Sequence, residues 1–292
     1  MIKHLNSKFG TYILLFSLLT ACELLNPEEP IPSYIYIESF ELDTESFQGS
    51  SSEKITEAWL TVDEEFLGAY RLPISIPILK EGEVEIKLEA GIKDNGITAT
   101  PEIYPFYAPY RTIVNLKPTE TVEIRPRTTY LDGIDFAMVE NFEQGFQFFT
   151  YDLDGNENTN IIASGAEIFE GGKSGRILLT PENPIIEVAT DISRTFKDVT
   201  KDGIYVYLEL NYKTEAEIAF GLLGTSEGIT TPEKLYEPIL FKKDEWNKVY
   251  INLTSMIFSL DADEYQVAIL SQLPDGMEEA RIWLDNIKLI HF

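Results

Sequence analysis

Residues 204–212 read Ile-Tyr-Val-Tyr-Leu-Glu-Leu-Asn-Tyr, and this stretch decides the fold class of the chain. Aliphatic side chains occupy every second position as far as Leu210, with tyrosine, glutamate and asparagine between them. Because the side chains of a β-strand point alternately to its two faces, the pattern predicts a strand with one apolar face. The inner face consists of Ile204, Val206, Leu208 and Leu210, and the outer face of Tyr205, Tyr207, Glu209 and Asn211.

Patterns of the same kind continue along most of the chain. Short runs rich in Ile, Val, Tyr, Phe and Thr alternate with Gly, Pro, Asn and Asp, which is typical of strands joined by turns. No long amphipathic helix is indicated, and only Asp191–Phe196 and Pro232–Tyr236 favour a helical turn. We therefore expect an all-β protein.

A domain junction is predicted at Arg125-Pro126-Arg127, because proline removes a main-chain donor and tends to end a strand. The expected architecture is two consecutive β-sandwich domains, at residues 34–127 and 132–292. Val84–Glu89 alternates strictly between apolar and charged residues, so one face of that strand is expected to be buried. The candidate strands of the first domain are Tyr34–Leu42, Lys54–Val62, Phe66–Leu72, Glu83–Ala90, Tyr110–Leu116 and Thr121–Arg125.

The charge balance limits the classes of partner. Lys and Arg number 23 against 49 Asp and Glu, a formal net charge of −26, and removal of residues 1–21 would make it −28. Such a surface repels nucleic acid and disfavours attachment to anionic lipid through a basic patch. Neutral sugars, cations and basic protein surfaces remain as possible partners, although solubility alone also explains the charge.

The sequence lacks the residues on which most catalytic sites depend. His4 lies in the N-terminal segment and His291 is the penultimate residue, so neither a Ser-His-Asp arrangement nor a His/Cys zinc site is supported. Acids for glycoside cleavage are abundant, but nothing marks two of them as a buried pair with a raised pKa. We predict that the chain is not an enzyme, with glycoside hydrolase activity as a minority alternative.

The N-terminus carries a secretory pattern. Lys3 and Lys8 precede an apolar run over 12–19, which is too short to span a bilayer as a mature helix. The run ends in Leu19-Thr20-Ala21-Cys22, which resembles the lipobox of bacterial lipoproteins. The resemblance implies cleavage after residue 21 and acylation of Cys22, with palmitate among the acyl groups. The alternative is an ordinary signal peptide with a chance cysteine.

Residues 22–33 are predicted to be a tether. Positions 23–33 contain three prolines and three glutamates and have little to bury, which favours an extended linker. With Cys22 acylated, the tether would hold the folded part at the outer membrane. The sequence leaves open whether that part faces the periplasm or the outside.

The first domain has a weak resemblance. Residues 59–73 offer a strand, an acidic turn and a strand, and residues 74–91 continue through a Lys80-Glu81-Gly82 turn. This order resembles small transthyretin-like or PEGA-like sandwich domains. The resemblance implies a spacer or adhesion module.

The second domain carries three motifs in order. Asn141-Phe142-Glu143 opens it with Gly145, Gly172–Gly175 reads Gly-Lys-Ser-Gly, and Leu284–Leu289 reads Leu-Asp-Asn-Ile-Lys-Leu near its end. Together they resemble galactose-binding-like jelly rolls, a group that includes many carbohydrate-binding modules. In that group a structural calcium ion often ties the first strand to the last. The resemblance implies a Ca²⁺ site at Glu143, main-chain carbonyls around Lys173, and Asp285, and oxygen ligands of this sort suit the ion.

Aromatic residues gather on the outer faces of the strands in the second domain. In Trp246–Leu253 the alternation sends Val249 and Ile251 inward, while Trp246 and Tyr250 face outward. Rings beside amides and charges are suited to stacking on sugars and to fixing their hydroxyls. The predicted glycan-binding residues are Tyr205, Tyr207, Asn211, Trp246, Tyr250 and Asn252. The alternative is that these rings pack under loops or against the neighbouring domain.

The leading hypothesis is therefore a non-catalytic envelope lipoprotein whose second domain binds a glycan. The second hypothesis is a structural or assembly partner of an outer-membrane protein complex, with both sandwiches used as protein-contact surfaces. Whether the outer aromatic side chains are open or covered distinguishes the two.

Overall fold

A computed structural model describes residues 29–197, 199–200 and 204–292. About 55% of the described residues are in β-structure, which confirms the predicted all-β class. The lipobox-like segment and Cys22 lie outside the described residues. Within the described ranges, no helix is long and apolar enough to cross a membrane.

The first domain has a five-stranded antiparallel sheet packed against two smaller sheets. The large sheet has the order β4-β3-β6-β7 with β8 also paired to β6, and the small sheets have the orders β5-β1-β9 and β10-β2. The strands are β1 (Ser33–Ile37), β2 (Glu41–Asp43), β3 (Glu57–Val62), β4 (Glu65–Arg71), β5 (Ile74–Ile78), β6 (Gly82–Lys93), β7 (Pro101–Ile103), β8 (Tyr110–Leu116), β9 (Thr121–Ile124) and β10 (Arg127–Thr129).

Sequence alternation explains how this domain closes. On β6, Val84, Ile86 and Leu88 are buried in the core, as the alternation over 84–89 predicts. The single strand predicted over Tyr34–Leu42 is instead two strands. It divides because β1 pairs with β5 and β9, whereas β2 pairs in parallel with β10 in a separate sheet.

The second domain is a sandwich of two sheets. The interface sheet has the order β13-β14-β21-β16-β19, with β11 also paired to β21, and the distal sheet has the order β12-β15-β20-β17-β18. The strands are β11 (Asp135–Glu140), β12 (Phe149–Asp152), β13 (Ile162–Ser164), β14 (Ser174–Leu179), β15 (Ile185–Thr190), β16 (Val206–Thr214), β17 (Ile218–Thr225), β18 (Glu233–Leu240), β19 (Lys243–Asn252), β20 (Glu264–Gln272) and β21 (Ala280–His291).

Two helical expectations are wrong. Pro232–Tyr236 runs into strand β18, because its residues pair with β17 and Leu235 lies opposite Leu222. Residues 191–196 form turns rather than a helix. The helix α1 (Thr254–Leu260) was not predicted from the sequence, and it buries Met256 and Ile257 in the core of the second domain.

The first domain covers the outer face of the interface sheet. Tyr207 and Tyr250 of the second domain belong to the apolar core of the first domain, together with Ile290. The Tyr104 ring lies 5.3 Å from the Tyr207 ring and 4.8 Å from the Tyr250 ring, measured between centroids. The two domains therefore share a continuous apolar boundary.

A buried charged cluster lies at the centre of this boundary. The Glu209 carboxylate on β16 is 2.7 Å from the ammonium of Lys248 and accepts hydrogen bonds of 2.8 Å from the hydroxyls of Tyr104 and Tyr130. Lys288 Nζ donates to the Ser50 carbonyl at 2.6 Å. Glu209 thus bonds to both domains.

The charge state of the cluster follows from its surroundings. Burial would raise the pKa of the Glu209 carboxyl, but Lys248 and Lys288 hold that pKa below its ordinary value. Burial lowers the pKa of Lys288 to about 8, against the opposing effect of Glu209. Burial, followed by the charge of Glu209, raises the pKa of Tyr104 well above its ordinary value, so its hydroxyl remains a donor.

We predict that Glu209→Gln strongly destabilises the protein. The substitution removes the only carboxylate bonded to Lys248 among the described residues and leaves buried ammonium charge uncompensated, at a cost of about 3 kcal/mol. Urea unfolding measures the free energy of unfolding. Glu123→Gln is the control, because Glu123 pairs with Arg125 at the exposed surface and should change stability by no more than about 0.5 kcal/mol. Equal effects of the two substitutions would contradict the prediction.

Candidate functional site

The predicted aromatic surface is not open to solvent at its centre. Tyr207 and Tyr250 do leave the face of the interface sheet opposite to the core of the second domain, but they are only 2% and 1% exposed. The Tyr250 hydroxyl lies 3.2 Å from that of Tyr107 and accepts a 3.0 Å hydrogen bond from the Lys54 amide. The expectation of an exposed surface is wrong for these two rings, because the first domain occupies the space that a sugar would need.

The other predicted glycan-binding residues differ in how far they are exposed. Asn211 is buried and donates to Ser52 Oγ at 3.0 Å, and Asn252 donates to the Tyr207 hydroxyl at 3.0 Å. Trp246 is half-buried and donates to Glu167 Oε1 at 3.1 Å, while Tyr205 is 40% exposed. These residues do not form one open surface.

The residues implied for calcium come close to one another in the second domain. Glu143 Oε1 accepts hydrogen bonds from the Gly172 and Lys173 amides at 2.6 and 2.7 Å, which hold the pKa of Glu143 below its ordinary value. Asp285 is buried and accepts a 3.3 Å hydrogen bond from the Glu170 amide. Burial raises the pKa of Asp285 to about 7, and Glu170 and Glu143 add to the increase.

Side chains alone do not complete a metal site there. Among the residues that the structure describes, no three His, Cys, Asp or Glu side chains are grouped so as to hold an ion. A site between Glu143 and Asp285 would need main-chain oxygens in addition, such as that of Lys173.

The outer face of the distal sheet has a different construction. Small residues lie side by side in its middle: Ala189 is opposite Ala268, which is opposite Gly221. A tyrosine stands at each end of the row, Tyr151 opposite Ala189 and Tyr236 opposite Gly221. Small side chains leave space above the sheet into which the large rings can turn.

Tyr236 uses that space. It lies on the edge strand β18, yet its hydroxyl donates a 2.7 Å hydrogen bond to Glu187 on β15, across the two intervening strands β17 and β20. The ring must therefore lie along the sheet surface rather than stand upright. A Cβ at Gly221 would come within 2.6 Å of the ring, so the absence of a side chain there permits the ring's position.

Polar groups surround the Tyr236 ring. Lys234 Nζ lies 2.7 Å from Glu187 Oε1, the same oxygen that accepts the tyrosine hydroxyl. Burial and the nearby Glu187 carboxylate raise the pKa of Tyr236, so the hydroxyl stays protonated. Tyr236, Tyr151, Glu187 and Lys234 together are called the distal platform below. It presents a half-buried aromatic ring beside a donor and an acceptor.

This surface was not predicted from the sequence. The pattern over residues 232–236 predicts a helical turn, and a residue in a helical turn does not belong to either face of a sheet. A signal was present in the outward positions of β15, β17 and β20. Ala189, Gly221 and Ala268 are unusually small for a strand face. Such a row indicates that something larger lies over the sheet.

Comparisons with known proteins give structural likeness without close relationship. No family model and no curated protein sequence matches the chain. A carbohydrate-binding module from the β-sandwich superfamily is similar at 14% identity and a TM-score of 0.41, covering 90% of this chain and 99% of its own.

Two further solved structures are similar over about half of the chain. The family 11 carbohydrate-binding module of the Clostridium thermocellum cellulase Lic26A-Cel5E has 14% identity and a TM-score of 0.38. The match covers 53% of this chain and 94% of that module. The CBM22-1 xylan-binding domain of Paenibacillus barcinonensis Xyn10C has 14% identity and a TM-score of 0.36. The match covers 54% of this chain and 94% of that domain. Likeness at this level identifies neither the family nor the ligand of this chain.

Proposed function

We propose that the protein is a non-catalytic, lipid-anchored envelope protein whose second domain binds a neutral glycan at the distal platform. The observation that carries the proposal is the Tyr236 ring, which lies along the sheet and is held there by Glu187. An aromatic ring fixed in this way offers an apolar surface to a sugar without losing much side-chain freedom on binding.

The chemistry of the platform favours an uncharged ligand. Glu187 and Lys234 already neutralise each other, and their remaining hydrogen-bonding capacity suits hydroxyl groups. The interface sheet, in contrast, has its aromatic face closed by the first domain. The distal sheet is therefore the better glycan-binding face of the second domain.

Tyr236→Ala should weaken binding of neutral polysaccharide at least about tenfold, equivalent to about 1.4 kcal/mol, because the stacking surface is removed. Affinity electrophoresis of the full chain in gels containing xylan, β-glucan or galactomannan measures the effect. Tyr205→Ala is the control, since Tyr205 is an exposed tyrosine outside the platform.

If Tyr205→Ala weakens retardation and Tyr236→Ala does not, binding occurs elsewhere. If none of these polysaccharides retards the unsubstituted chain while an envelope protein co-purifies with it, the assembly-partner alternative takes precedence.

The anchor proposal depends on the sequence, because Cys22 lies outside the described residues. Cys22→Ser should abolish acylation and move the chain from the detergent phase to the aqueous phase in Triton X-114 partitioning, since no acyl chain remains. Ala21→Leu tests the cleavage step separately. Full processing and detergent partitioning of Cys22→Ser would show that the lipoprotein proposal is wrong.

We also propose that Ca²⁺ binds at Glu143, Asp285 and the Lys173 main-chain oxygen. The position of the buried Asp285 supports this, because the Glu170 and Glu143 carboxylates both raise its pKa and a bound cation would offset that repulsion.

Saturating Ca²⁺ should raise the melting temperature by about 5 °C, because an ion that binds only the folded state stabilises it by mass action. Differential scanning fluorimetry measures the shift, after dialysis against a chelator. Asp285→Asn should abolish the shift, and Asp152→Asn, at the exposed end of β12, should retain it. No shift in the unsubstituted chain would contradict the proposal.

A further inference from the structure

A groove of about 480 Å³ lies between the two domains, away from the distal platform. The first domain contributes residues just before β3, the ends of β4 and β6, and the turn after β6. The second domain contributes the end of β18 and the start of β19. Its volume lies in the range of small-ligand sites rather than of single-ion sites.

The lining of the groove is basic, although the protein as a whole is acidic. Acidic residues outnumber basic ones 49 to 23 in the whole chain, yet the lining of the groove contains five Lys and Arg and no Asp or Glu. The basic lining residues are Lys54, Arg71, Lys93, Lys243 and Lys248. A concave site with one sign of charge attracts ligands of the opposite sign.

Two of the five cations are free to bind a ligand. Lys93 pairs with Glu57, Lys248 pairs with Glu209, and Lys54 donates to the Asn247 side chain. The other two, Arg71 and Lys243, are exposed and form no ion pair with any residue in the described part of the chain. They come from different domains, so a ligand that bonds to both must lie across the groove.

The remaining lining restricts what such a ligand can be. Asn95, Thr56 and Thr98 provide amide and hydroxyl groups, which suit hydroxyl-rich molecules. Phe241 and Ile97 are exposed apolar side chains on opposite domains. A matching ligand therefore has negative charge, many hydroxyls and an apolar face.

We propose that this groove binds an acidic oligosaccharide, with its carboxylates on Arg71 and Lys243 and a sugar ring against Phe241. A guanidinium can bond a carboxylate through two parallel N–H groups, and a charge-assisted contact of this kind is stronger than one between neutral groups. The site is separate from the distal platform and does not depend on glycan binding at Tyr236.

Isothermal titration of the full chain with a galacturonate trisaccharide tests the proposal. Arg71→Ala and Lys243→Ala should each weaken binding at least about tenfold, since each removes a charge-assisted contact. Binding should also weaken at high salt, because the charges lie near the surface. Lys242→Ala is the matched control, since Lys242 neighbours Lys243 but pairs with Asp244 and does not line the groove.

Four further measurements decide where the ligand binds and what it is. The neutral galactose trisaccharide should bind at least tenfold more weakly than the acidic one, and Tyr236→Ala should leave acidic binding unchanged. Equal binding of the neutral sugar, or loss of acidic binding in Tyr236→Ala, would overturn the proposal. The proposal is also wrong if the double variant Arg71→Ala/Lys243→Ala binds the acidic sugar as tightly as the unsubstituted chain. It is wrong as well if a poly-glutamate peptide binds more tightly than the acidic sugar.

Discussion

The Glu209 carboxylate constrains the rest of the molecule more than any other group. It lies on the outer face of a sheet of the second domain, yet it bonds to Tyr104 and Tyr130 of the first domain and to Lys248 of its own. A charged group is stable at a site buried from water only while all these partners hold their positions. The docking of the two domains is therefore fixed in detail. That docking closes one sheet face, leaves the distal sheet open and sets the width of the basic groove.

Strand alternation predicted which way side chains point within the strands, but it was wrong for Ile204, which precedes β16 and is 58% exposed. Val206, Leu208, Val249 and Ile251 face the core of the second domain as the pattern indicates, and Tyr207 and Tyr250 face away from it. The outward direction alone did not decide between exposure to water and packing against the first domain. Period-two patterns identify a face but not its neighbour. A usable signal was present, because Glu209 shares that outer face with Lys248 and Lys288, which suit a buried ionic contact.

The candidate sites were less predictable than the fold. Tyr236 stands just before an irregularity in the pairing of β17 and β18, so its strand lacks a clean alternation. The basic groove joins Arg71 to Lys243, which are 172 positions apart in the chain, and it exists only because the domains dock as they do. Local sequence patterns contain no information of that kind. The carboxylates near Asp285 were found in advance through a family resemblance, and alternation alone would not have selected them.

The tyrosines at the domain boundary also restrict how this protein could have been assembled during evolution. Tyr207, Tyr250 and Ile290 lie in the second half of the chain but complete the apolar core of the first. Neither sandwich could be exchanged for an unrelated one without exposing rings and a charged cluster that have no other partner. Gene fusion between β10 and β11, at residues 130–134, would thus yield a poorly folding product. The two sandwiches are expected to be inherited as a pair, unlike modules that recombine freely.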